Sequence, residues 1–233
     1  MYVFPLNGFR LVADCVHVFA ILILIFFLIK KRSCYSISGE SIALYTLVFT
    51  YRYLDLFTQW SNQNLYMISF KIFFLISHYF LLILIFGIFR QTRDRSEKGL
   101  SILAYLIATE LLVWFSSFLT EFAYDTEEFF WRRSIFLEVV AIIPQWILIN
   151  QQGTIGKSMV SYLLMLGSYR ALYIVNWIYR YYLELYWDPI AFYSGCFQTL
   201  IYLCALIYTY PRINQKKSIE MAVDDDPILS DII

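Results

Sequence analysis

An all-α membrane protein with seven transmembrane helices is predicted by its composition, by the length of its apolar runs, and by where its basic residues fall. The 233-residue chain is 60% hydrophobic and 20% aromatic with only 15% charged residues, and its mean hydropathy is +0.61. Soluble domains carry fewer apolar and more charged residues. Apolar runs near the ~20 residues needed to cross a bilayer recur at 8–29, 38–57, 66–89, 100–119, 129–149, 158–179 and 187–210. The connections are short, so residues 1–210 form one membrane domain. Residues 211–233 are a polar tail, expected to be disordered, that joins a lysine pair to an acidic end.

The first run is followed by Lys30-Lys31-Arg32 and has no small-residue cleavage site, so it reads as an uncleaved span rather than a signal peptide. Further basic clusters follow the third run (Arg90, Arg93, Arg95, Lys98) and the seventh (Arg212, Lys216, Lys217). Together with Lys157 they fall on one side, which the positive-inside rule makes cytosolic. The opposite loops at 58–65 and 120–128 hold no Lys or Arg. The N-terminus is then expected on the luminal side and the C-terminus in the cytosol.

Most spans carry charges that a bilayer disfavours. Span one has Arg10, Asp14 and His17 on one face, and span two has Arg52 and Asp55 at i and i+3. Span three is the most apolar apart from Lys71 and His78, and its aromatics read as packing. Span four holds the single acid Glu110 and reads as a connector. Span five opens with Glu128 and Trp131, contains Glu138 near its middle, and ends in Ile143-Pro144-Gln145, where the proline permits a kink. Span seven is nearly uncharged.

Span six is the most informative. At ~100° per residue, Tyr169, Arg170, Tyr173, Asn176, Trp177 and Arg180 share one sector of roughly 120°, with the two arginines about 15 Å apart along it. Buried arginines need partners, water or a ligand. The luminal halves of spans one, two, five and six therefore assemble Arg10, Arg52, Arg170 and Arg180 beside Asp14, Asp55, Glu128 and Glu138, with aromatics interleaved. Such a site suits a ligand of both charge signs, such as a peptide end, because guanidiniums grip carboxylates bidentately. His17 can change charge across mildly acidic pH.

Other chemistries are excluded. Lys+Arg and Asp+Glu balance at 18 each, so no net field points to nucleic acid. No nucleophile–base triad, zinc-ligand spacing or phosphate loop is present, so neither an enzyme nor a metal or other cofactor is expected. Cys15, Cys34, Cys196 and Cys204 are scattered and read as small apolar fillers.

The strings FRLVADCVH (9–17), RSCYSISGES (32–41), VFTYRYLDLFT (48–58), FLEVVAIIPQ (136–145) and GSYRALYIVNWIYRY (167–181) resemble the ER lumen protein-retaining receptors, or KDEL receptors. The similarity spans nearly the whole chain except the tail. It implies a SWEET/PQ-loop-like fold in which spans one to three and five to seven form two three-helix bundles joined by span four. It implies a Golgi and ER receptor that binds C-terminal KDEL- or HDEL-type tetrapeptides of escaped luminal proteins in the mildly acidic Golgi and returns them in coated vesicles.

By the same resemblance, Arg52 receives the terminal carboxylate, and Arg10 and Arg180 bind the acidic side chains. Asp55 and Glu128 face the ligand's base, and Trp131 and Trp177 flank the peptide. Tyr173 and Asn176 join the ligand-binding set through the helical face they share with Trp177. His17 matches a pH sensor, Glu138, Tyr169 and Arg170 a lock for the protonated state, and Lys216-Lys217-Ser218 a cytosolic retrieval signal. The chain departs from the family at Cys204, where an aspartate is common, in its longer loop after span two, and in its acidic tail. The same fold class also houses small-solute transporters, whose charges sit near the midplane and open to both sides in turn.

Overall fold

The structure is a computed structural model that describes residues 7–60, 63–94, 101–119, 125–153 and 155–225, with side chains placed through residue 209. It is helical throughout, with no strand among the described residues. The helices are α1 (Gly8–Lys31), α2 (Gly39–Arg52), α3 (Asp55–Thr58), α4 (Leu65–Leu82), α5 (Ile102–Leu119), α6 (Thr126–Val140), α7 (Ile143–Gln152), α8 (Lys157–Glu184) and α9 (Pro189–Asp225). Five helical stretches are long and apolar enough to cross a membrane: Gly8–Lys31, Leu65–Ile88, Thr126–Gln152, Lys157–Glu184 and Pro189–Thr209. The apolar helix over Ile102–Phe118 is shorter.

Local chemistry accounts for the helix ends. Asn7 caps α1 by accepting from the Arg10 amide at 2.8 Å, and Lys30 and Lys31 sit in its last turn, where cations suit the helix dipole. Ser38 caps α2 through the Ser41 amide at 3.1 Å. Pro189 opens α9, and the Asp188 carboxylate accepts from the Ala191 amide at 3.0 Å. In α1 the inward residues Ala13, Asp14, His17, Ala20, Ile21, Leu24 and Leu28 follow helical spacing, while Phe19, Leu22, Phe26 and Ile29 face outward. An outward apolar face is the normal state of a helix whose solvent is lipid.

α1 packs chiefly along α8, and α2 along α6 and α4; α9 lies against α8 and α6, and α5 against α6. A buried apolar core runs through these contacts, from Leu24 and Leu28 through Val48, Phe49 and Phe74 to Leu137, Ile142 and Leu166.

Two spans and the tail differ from the sequence expectation. The second is not one helix. It breaks after Arg52, where the Leu56 and Phe57 amides reach back three residues to Tyr53 and Leu54 at 3.1 and 3.0 Å, and restarts as the single turn α3. The third leaves α-geometry for a π-helical turn at Ile83–Ile88. There Cys34, on the α1–α2 connection, donates its thiol to the Phe89 carbonyl at 3.3 Å and its amide to Thr92 Oγ1 at 3.0 Å. The tail is helical rather than irregular as far as Asp225, because α9 continues without a break.

The proline of span five does produce a break, between α6 and α7. Gln145 then anchors the start of α2. Its side-chain carbonyl accepts from the Ser38 amide at 2.8 Å, its amide group donates to Ser36 O at 3.0 Å, and its backbone N–H donates to Ser41 Oγ at 2.9 Å. Backbone groups freed near a proline inside a membrane must be satisfied by neighbours in this manner.

Candidate functional site

A cavity of about 370 Å³ opens among α1, α2, α3, α4, α6, α8 and α9. Its walls come from the N-terminal parts of α1, α4, α9 and the Thr126–Gln152 stretch, and from the C-terminal parts of α2 and α8. Helices that alternate in direction bring those parts to one end of the bundle. The cavity therefore belongs to the end where α1 begins.

Glu138 forms the hub of its wall. The residue is fully buried, and one oxygen, Oε2, meets both Arg52 Nη2 at 2.5 Å and Arg170 Nη2. The other, Oε1, accepts from the Tyr169 hydroxyl at 2.6 Å. Arg52 Nε also donates to Ser134 Oγ at 3.1 Å, and Ser134 in turn donates to the Trp131 carbonyl at 2.6 Å. One carboxylate thus serves two guanidiniums, and a formal surplus of one positive charge remains on the cavity wall. Leaving such a charge without its partner in low dielectric is costly, so the surplus marks a place for an anion.

Two other carboxylates are partnered differently. Asp14 accepts from the hydroxyls of Tyr66, at 2.5 Å, and Tyr173, while Arg10 Nε lies 3.9 Å away. Asp55 Oδ2 is held by Lys71 Nζ. Arg180 pairs with Glu184 at 2.8 Å and stacks over Tyr186, 4.1 Å from the ring centroid. Asn176 accepts from the Asn7 amide at 2.6 Å. His17 is sandwiched between Tyr169, ring centroids 4.1 Å apart and 3° from parallel, and Phe74 at 4.6 Å. His78 stands 6.4 Å from the His17 ring and is tied by Nδ1 to the Phe74 carbonyl at 2.8 Å.

Of the residues singled out from the sequence, Arg10, His17, Arg52, Asp55, Trp131, Glu138, Tyr169, Arg170, Tyr173, Asn176, Trp177 and Arg180 all line this cavity. Glu128 is not among the lining residues. It is half-exposed and pairs with Arg132 on its own helix at 2.7 Å. Arg52 and Asp55, neighbours at i and i+3, do not pair with each other, because the break after Arg52 turns them to different partners. The side chains of Lys216, Lys217 and Ser218 lie outside the described residues. Among the described residues no cluster of His, Cys, Asp and Glu could hold a metal.

The structure adds Lys71, Tyr53, Met67, Tyr186 and Asp188 to the wall. Lys71 had a visible signal, a lysine within the most apolar span. The others carry none in a single sequence. Glu110, read as part of a plain connector, meets Arg133 at 3.3 Å.

Gly195 of α9 makes room for Trp177. An added Cβ would fall 2.8 Å from Trp177 Cη2 and closer still to Cζ3. Gly195→Ala is therefore expected to displace the indole and to destabilise the fold by about 1–3 kcal/mol, the usual cost of overpacking. A lowered thermal midpoint with altered tryptophan fluorescence would show it; an unchanged midpoint and spectrum would contradict it.

A helical membrane protein with an ion-paired cavity at one end defines a class of binding or transport protein, and sequence comparison assigns the family within it. The family profile for ER lumen protein retaining receptors matches residues 33–180. An ER lumen protein-retaining receptor of Caenorhabditis elegans is 40% identical over 219 residues, 94% of this chain and 100% of its own. ER lumen protein-retaining receptor 2 of Homo sapiens is 42% identical over 205 residues, covering 88% of this chain and 93% of its own. ER lumen protein-retaining receptor 3 of Xenopus tropicalis is 42% identical over 197 residues, 84% and 89% respectively. The chain belongs to the ER lumen protein-retaining receptor family.

Proposed function

We propose that this protein is a pH-dependent sorting receptor that binds the C-terminal KDEL- or HDEL-type signal of escaped ER luminal proteins in the Golgi and returns them to the ER. The observation that carries this reading is the wall where Arg52 and Arg170 share Glu138: its surplus positive charge suits a free terminal carboxylate. Arg10 and Arg180 are at hand for the acidic side chains of the signal, and Trp131 and Trp177 for its apolar parts. The family assignment supports retention and not solute transport. A cavity confined to one end of the bundle likewise favours capture over passage.

In this reading the polypeptide crosses the membrane seven times, as two three-helix bundles joined by α5, with α1 beginning in the lumen and the tail in the cytosol. The packing of α2 on α4, and of α9 on α8 and α6, supports two bundles, which the contacts of α1 with α8 and of α2 with α6 hold together. Lys216-Lys217-Ser218 would then meet vesicle coat proteins.

Acid favours binding by linkage: if the liganded form takes up a proton at His17, affinity rises as pH falls through the imidazole range. His17 suits that role because it stacks on Tyr169, whose hydroxyl is held by Glu138. The test is binding of a labelled peptide ending in Lys-Asp-Glu-Leu at about pH 5.5 and about pH 7.4, bracketing a reference imidazole, with a C-terminally amidated control. Tighter binding in acid, lost on amidation, is expected. His17→Ala should flatten the pH dependence; full dependence in that variant would sink the role of His17.

A further inference from the structure

Lys71 is the cavity's one charged residue from the otherwise apolar α4. It is buried, with 9% exposure. Its ammonium group donates to Asp55 Oδ2 and, at 2.7 Å, to Gln63 Oε1, and it lies 5.8 Å from the Tyr53 ring centroid, within cation–π range. Gln63 is itself anchored, its Nε2 donating to the Asp55 backbone carbonyl at 3.0 Å. The lysine is therefore fixed in place. Asp55 Oδ1, by contrast, is buried and has no hydrogen-bond partner among the described residues. An acceptor left open inside a protein is unfavourable, and a donor that reaches it from the cavity relieves that cost.

We propose that Lys71 is a specificity-determining residue. By occupying one oxygen of Asp55 and leaving Oδ1 as a single open acceptor, it limits how strongly the cavity prefers a basic residue at the fourth position from the ligand's C-terminus. The inference rests on the receptor reading above. A bare carboxylate rewards a cation through its full charge. A carboxylate already neutralised by an internal ammonium offers one hydrogen bond and little net field. The site then accepts lysine and histidine signals alike and does not hold the basic residue so tightly that a neutral one is excluded. Gln63 acts through Lys71 as a positioning residue.

The test compares affinities for peptides ending in Lys-Asp-Glu-Leu and Ala-Asp-Glu-Leu in acid, for the wild type, Lys71→Gln, Lys71→Arg and Gln63→Ala. In Lys71→Gln the lysine-to-alanine preference should rise about tenfold, equivalent to ~1.4 kcal/mol, because Asp55 is left bare. Lys71→Arg keeps the charge and should hold the ratio near wild type. Gln63→Ala should raise it by a smaller factor, and it carries the test alone should Lys71→Gln not fold. An unmoved ratio in folded Lys71→Gln, or an equal rise in Lys71→Arg, would overturn the role of Lys71. Absence of binding by the wild type would overturn the receptor reading itself, so the two failures are distinguishable.

Discussion

Glu138→Ala is expected to be the most damaging single substitution in the protein. It removes the common partner of Arg52 and Arg170 and the acceptor of the Tyr169 hydroxyl. Arg170 is 7% exposed, so its charge cannot turn to water. Breaking a buried ion pair from one side costs about 3–5 kcal/mol, because an uncompensated charge stays behind. Thermal unfolding in detergent should show a large fall in midpoint, and yield of folded protein should drop. Adding Arg52→Met and Arg170→Met to Glu138→Leu should recover much of the loss, since replacing a whole buried triad with apolar groups of similar volume is often neutral. If the single variant were as stable as the wild type, Glu138 would not be the hub described here.

Where the charges lie was readable from the sequence; how they pair was not. The stripe from Tyr169 to Arg180 follows from helical periodicity alone, and all six of its residues face the cavity. The pairing of Arg52 could not be read in the same way. At i and i+3 its natural partner is Asp55, and only the break after Arg52 sends the arginine to α6 and the aspartate to α4. That break has no proline or glycine to announce it. Lys71 stood out as a cation in apolar surroundings, yet its partner lies 16 residues away on another helix. Pro144 marked a kink, while the docking of Gln145 onto Ser36, Ser38 and Ser41 depends on tertiary packing. Local pattern sets which face a side chain takes; partners separated by a hundred residues are set by packing.

Arg52→Met tests the surplus charge directly, because it should leave the fold intact while removing the proposed anchor of the ligand's carboxylate. With Arg52 gone, Glu138 still faces Arg170 and Tyr169, a one-to-one pair with no surplus. Stability should therefore change far less than in Glu138→Ala. Binding should not survive so well. Truncating one member of a buried, hydrogen-bonded charge pair at an interface costs about 2–5 kcal/mol, so affinity for a peptide with a free C-terminus should fall roughly 30-fold or more. An amidated peptide already lacks the carboxylate and should lose little further. The ratio of the two affinities should then approach one in Arg52→Met, a coupling that a purely structural role for Arg52 would not produce. Arg52→Lys should restore charge without restoring the ratio, since an ammonium cannot reproduce the fork that donates to Ser134 and Glu138 at once. A variant that binds the free peptide more weakly but keeps the full amidation penalty would place the carboxylate elsewhere, with Arg10 and Arg180 the next cations to test.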